Sequence, residues 1–174
     1  FRSNFDNDGT LSEGNCQSSF DTNANRGYAV STLAVTQGKW YWEVKVTDTA
    51  RMQVGVCYPN EFAGLSTAYY DNNPSQGFGL DPGANISYDA TSTTYGSTIS
   101  ANDIVMMALD MDNGRIYFAK NGTYENSGNP ASGTNAFSLP TNYADGMTFY
   151  AGLDAATAEI NFGNPSFAIS SGNN

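Results

Sequence analysis

The sequence predicts an all-β sandwich of two antiparallel sheets with little or no helix. Three observations lead there. Asp103–Gly122, DIVMMALDMDNGRIYFAKNG, reads as strand, turn, strand, turn, with a nearly unbroken apolar run from Ile104 to Met111. Lys39–Thr47, KWYWEVKVT, alternates: Trp40, Trp42, Val44 and Val46 face one way, Tyr41, Glu43 and Lys45 the other. Short apolar segments recur between turn residues throughout, and no stretch sustains the 3.6-residue period of an amphipathic helix.

The elements follow in order. Phe1–Gly9 is a polar approach. Thr10–Phe20 reads as two short strands around Glu13-Gly14-Asn15, and Tyr28–Val35 as a strand ending at a Gln37-Gly38 turn. After Lys39–Thr47 comes the strand Met52–Tyr58, whose Gly55 signals close approach by another backbone or a bulge. Pro59–Gln76 is irregular. Gly77–Leu80 and Ile86–Tyr88 flank an Asp81-Pro82-Gly83 turn, and Asp89–Ser100 suits strand or loop. In the central hairpin, Asn113-Gly114 is expected to supply both left-handed residues of a type I′ turn, with Asn121-Gly122 as a second reversal. Tyr124–Asp145 is a long connection, and Met147–Leu153 and Ala158–Phe162 are the last strands. No internal repeat is visible.

The 174 residues suit one domain, 1–174, with linker-like ends at 1–9 and 168–174. Hydrophobic residues at 40% and aromatic residues at 13% exclude a disordered chain. The net charge of −10, from 17 acidic and 7 basic residues, disfavours nucleic acid and anionic membrane surfaces as partners. No apolar run is long enough to insert in a membrane. The start at Phe1 and the polar end SSGNN fit a processed chain or part of a longer one.

An enzymatic constellation is not apparent. With no His, the usual base of Ser and Cys hydrolases is missing. Glu43 and Glu159 sit mid-strand and are expected to be solvated carboxylates rather than a glycosidase pair. Asp110, Asp112 and Asn113 evoke a calcium loop but lack its later ligands, so a turn explains them better. Cys16 and Cys57 read as two buried thiols or as one disulfide. No metal site and no cofactor are expected. The loop aromatics Phe62, Tyr69, Tyr70, Tyr95, Tyr124 and Tyr143 are the best candidates for ligand contact, because Tyr beside Asn and Ser makes an amphipathic contact surface.

Four segments, in order, resemble motifs of SPRY domains: Gly38–Val46 (GKWYWEVKV), Gln53–Cys57 (QVGVC), Asp103–Gly122, and Phe149–Phe167 with its Asn161-Phe162-Gly163. The resemblance implies a bent, concanavalin-like sandwich that recognises protein surfaces or peptides through loops, without catalytic residues or a required metal. It also implies site residues near Arg26 and Tyr28, and at Tyr69, Tyr70, Asn72 and Asn73. Thr10–Asn15, TLSEGN, resembles the opening strand of SPRY domains in bacteriophage structural proteins. That likeness implies a virion-surface protein, such as a capsid decoration or fibre, contacting host surface or other virion subunits. The alternatives are a peptide-recognition module of a non-viral protein and a lectin-like domain binding cell-surface glycan.

Overall fold

The structure is a computed structural model, and it describes residues 2–4, 9–20, 27–48, 52–59, 77–88, 91–153 and 155–163. In chain order the strands are β1 (Arg2–Asn4), β2 (Gly9–Ser12), β3 (Gln17–Phe20), β4 (Gly27–Val35), β5 (Lys39–Val46), β6 (Met52–Cys57), β7 (Gly77–Leu80) and β8 (Asn85–Tyr88). They continue with β9 (Thr91–Thr94), β10 (Ile104–Asp110), β11 (Arg115–Lys120), β12 (Thr123–Tyr124), β13 (Phe137–Ser138), β14 (Met147–Leu153) and β15 (Thr157–Asn161). One sheet runs β1-β4-β14-β6-β7-β8-β9 and the other β12-β11-β10-β5-β15-β3-β2, with β13 beside β11; every pairing is antiparallel. The only helical pieces among the described residues are single 3₁₀ turns, so the all-β sandwich holds.

The facing sides of the sheets meet in one apolar core. Trp42, Val44 and Val46 of β5 and Val105, Met107 and Leu109 of β10 pack against Val54, Val56, Phe149 and Ala151 of the other sheet. The unbroken apolar run of β10 is explained by cover on both sides. Its alternate residues Ile104 and Met106 join Ala119 in a second cluster on the outer face, capped by Tyr41 and Tyr124. Gly55 marks a close approach: a Cβ there would sit 1.7 Å from the Phe78 carbonyl oxygen.

The two reversals of the central hairpin differ from expectation. Asp110 pairs with Arg115, leaving a four-residue loop in which Gly114 (φ +62°) is left-handed and Asn113 is not. The Asp110 carboxylate shapes this loop by accepting from Asn113 N and Nδ2 at 3.1 and 2.9 Å. The type I′ pattern lies instead at Asn121-Gly122, where both residues are left-handed (φ +47° and +89°) between the paired Lys120 and Thr123.

Glu43 corrects a second expectation. It points outward from β5 but is 0% exposed, and accepts from Tyr41 Oη (2.7 Å) and Asn161 Nδ2 (3.1 Å). Cys16 and Cys57 are thiols rather than a disulfide; Cys57 is buried, whereas Cys16 is half-buried and closes a turn rather than lying in a strand.

Candidate functional site

The β4–β5 connection crosses from one sheet to the other at Thr36–Gly38 and leaves an open corner there. A pocket of about 320 Å³ occupies that corner. Its walls are the end of β4 (Ser31, Thr32, Leu33, Val35), the start of β5 (Trp40, Tyr41, Trp42), Met147 and Phe149 of β14, Phe162 just after β15, and the Gly14-Asn15-Cys16 turn between β2 and β3. The large hydrophobic side chains left exposed among the described residues are Leu33 (57%), Trp40 (41%) and Phe162 (51%), and all of them line this pocket. Exposed apolar groups gathered in one place mark a surface made to be covered.

Local structure accounts for each. In the β14–β4 register Thr148 opposes Ala34 and Tyr150 opposes Val30, so β4 carries two surplus residues and bulges. Ser31 Oγ donates to the Leu33 carbonyl and accepts from Leu33 N, both at 3.0 Å. Thr148 Oγ1 holds the same kink, 2.9 and 3.0 Å from the carbonyls of Ser31 and Leu33. A bulge breaks the alternation and re-aims side chains, which is why Thr32, Leu33 and Ala34 reach the surface between the buried Gly27–Val30 segment and the buried Val35. Trp40 is fixed by its Nε1–H, which donates to the Gln37 carbonyl at 2.8 Å. That turn is braced in turn by Asp112, whose Oδ1 accepts from Gly38 N at 2.7 Å, and by Met111 N donating to the Gly38 carbonyl.

Below them the rings form an edge-to-face chain. Trp42 meets Phe149 at 5.6 Å between centroids, and Phe149 meets Phe162 at 5.8 Å. Val35, Trp42, Met147 and Phe149 form the buried part of the lining, and the Trp42 Nε1–H finds no acceptor among the described residues. The site is therefore preformed, apolar and aromatic, with a thin polar rim, as recognition pockets are.

Of the residues expected to contact ligand, Tyr28, Tyr95, Tyr124 and Tyr143 are among those described, and none of these four lines the pocket. Arg26, Phe62, Tyr69, Tyr70, Asn72 and Asn73 lie outside the described residues. Tyr28 is buried with Val30, Cys57 and Tyr150, away from the main core. Tyr95 is buried in the core against Phe118, their ring centroids 6.0 Å apart. Tyr124 is half-buried against Tyr117, and Tyr143 packs on the core beneath Gly114. Burial pushes the hydroxyls of Tyr95 and Tyr124 above their ordinary range. These four rings largely hold their own segments in place.

Alternation puts Trp40 and Trp42 on one face of β5, but of the two only Trp42 is buried in the core. The position of Trp40, first on its strand and beside a turn, was the available signal.

No three His, Cys, Asp or Glu side chains gather as a metal site requires among the described residues. Asp110 and Asp112 serve the turns, Asp110 also binding Lys39 Nζ at 2.5 Å. No helix among the described residues is long and apolar enough to cross a membrane.

Residues 39–165 match the SPRY domain family. The chain belongs to that family. SPRY domains are non-catalytic interaction folds that bind proteins or peptides. The SPRY domain of human HERC1 has the same fold, with a TM-score of 0.68 at 16% identity over 90% of this chain and 96% of that one. This SPRY chain is also similar to the ATP-dependent RNA helicase Ddx1 of Drosophila melanogaster, 32% identical over 149 residues, which is 84% of this chain and 18% of the helicase. The helicase DDX1 of Xenopus laevis is 30% identical over 92 residues, 53% of this chain and 12% of that protein. The SPRY chain thus spans less than a fifth of either helicase.

Proposed function

We propose that this SPRY domain is a peptide- or protein-recognition module that seats an apolar side chain of its partner between Leu33, Trp40 and Phe162. The convergence of the exposed hydrophobic residues on one preformed pocket carries this reading. A Leu- or Phe-sized side chain moved from water into such a pocket gains about 2–3 kcal/mol. Added main-chain contacts make low-micromolar affinity attainable, which corresponds to about −8 kcal/mol.

The relatives in helicases of fly and frog, and the likeness to HERC1, support a recognition module in a non-viral protein. Neither a virion location nor a glycan partner draws support from them, and the proposed function calls on neither.

The test is selection of peptides from a displayed random library on the wild-type chain, followed by titration against Leu33→Asp and Trp40→Ala. Selected peptides should share an apolar anchor and bind each variant at least tenfold more weakly, with circular dichroism unchanged. Peptides that bind the variants as tightly as wild type would remove the pocket from the function.

A further inference from the structure

Resting on that reading, we propose that the partner is a basic segment whose apolar anchor enters the pocket while flanking Lys or Arg side chains stay in water at its rim. The rim is acidic. Glu13 adjoins the Gly14-Asn15-Cys16 wall, Asp112 is hydrogen-bonded to the turn that carries Trp40, and Asp145 lies two residues before Met147. All three are exposed. Lys39, next to Trp40, is engaged by Asp110, and among the described residues no charged side chain lines the pocket itself.

These facts divide the partner's chemistry. A cation pushed inside would lose its water and meet no carboxylate, so the interior selects an apolar group. A cation held outside keeps its hydration and still feels three rim carboxylates within the field of a chain of net charge −10. A second copy of this chain brings the same charge of −10 and is repelled.

The test uses the full chain and three fluorescent eleven-residue peptides that share a central Phe and are otherwise Ser. Four flanking positions carry Lys in the first, Ser in the second and Glu in the third. Anisotropy titration at 50 mM salt should rank them Lys, Ser, Glu, with the Lys peptide roughly tenfold tighter than the Ser peptide. At 300 mM salt that advantage should fall to about twofold, because exposed charges are screened over a few ångströms. Glu13→Lys with Asp145→Lys should abolish the advantage of the Lys peptide over the Ser peptide. Leu33→Asp should weaken all three.

Equal affinity for the Lys and Ser peptides, with both lost in Leu33→Asp, would overturn the basic partner and leave the pocket reading intact. Lys-peptide binding that survives both Leu33→Asp and Trp40→Ala would mean charge attraction alone and overturn the proposal. Absence of binding by all three, and by versions centred on Leu, Met or Trp, would overturn the pocket reading and this one with it.

Discussion

Gly14 and Gly114 form a matched pair that separates backbone strain from steric contact. Their φ angles are nearly identical, +65° and +62°. A Cβ added at Gly14 meets nothing within 4 Å, whereas at Gly114 it lies 2.5 Å from Cε1 of Tyr143 and 2.8 Å from its Cζ. An L-residue held in the left-handed region costs about 1–2 kcal/mol, and loss of glycine freedom in the unfolded chain returns about 0.4–1 kcal/mol. Gly14→Ala should therefore cost roughly 1 kcal/mol or less. Gly114→Ala carries the same term plus overpacking of about 1–3 kcal/mol, because the Tyr143 ring is itself packed on the core and cannot simply swing away. The sum is about 1–4 kcal/mol, or roughly 2–16 °C in Tm for a chain of this size. Urea and thermal unfolding followed by circular dichroism measure both. In a Tyr143→Leu background the excess cost of Gly114→Ala should shrink by about 1 kcal/mol or more. Equal destabilisation by the two alanines would refute the contact argument.

Other outcomes follow from single sites. Burial pushes the Asp110 carboxyl up, but Lys39 and Asn113 outweigh it and hold it below its ordinary value. Its contribution is thus complete above the unfolded pKa of about 3.9 and is lost as pH falls through the lower folded value. Tm against pH for wild type and Asp110→Asn should differ above pH 4 and converge in more acid solution; a constant gap contradicts this sign. An aromatic disulfide reagent should titrate one thiol, Cys16, in the native chain and Cys57 only on unfolding, because Cys57 is almost fully covered. In Trp42→Phe, Trp40 is the sole indole, and its emission should shift to the blue when a peptide fills the pocket; an unchanged spectrum on saturation would place the peptide elsewhere.

Much of the architecture was legible from spacing. Alternation along Lys39–Thr47 gave the correct inward face, and the apolar run of β10 correctly implied cover on both sides. The turn chemistry was legible in kind but not in place. Asn-Gly occurs twice, and only the strand register decides which pair sits between directly opposed residues. At Asn113-Gly114 the Asp110 carboxylate draws the loop to four residues; at Asn121-Gly122 nothing does. The candidate site was much less legible. Tyr95 looks like a loop aromatic available to a ligand, yet it is buried, since a Tyr near Asn and Ser is written the same way whether it faces out or anchors its loop; Tyr28, placed near the site by the family resemblance, is buried too.

By itself the sequence determined most of the long strands, the sandwich class, the family motifs and the acidic character, because these rest on local periodicity, turn residues and summed charge; the short edge strands β1 and β13 lay in segments it left irregular. Only the tertiary structure decided where the apolar surface stays open. Periodicity assigns Trp40 to the same face as Trp42, but it does not say how far the opposing sheet extends over that face. The cover stops at the β4–β5 corner, so Trp42 is buried and Trp40 is not. The bulge that lifts Leu33 is likewise invisible locally. It exists because β4 and β14, more than a hundred residues apart in the chain, pair with a two-residue mismatch that Ser31 and Thr148 hold in place.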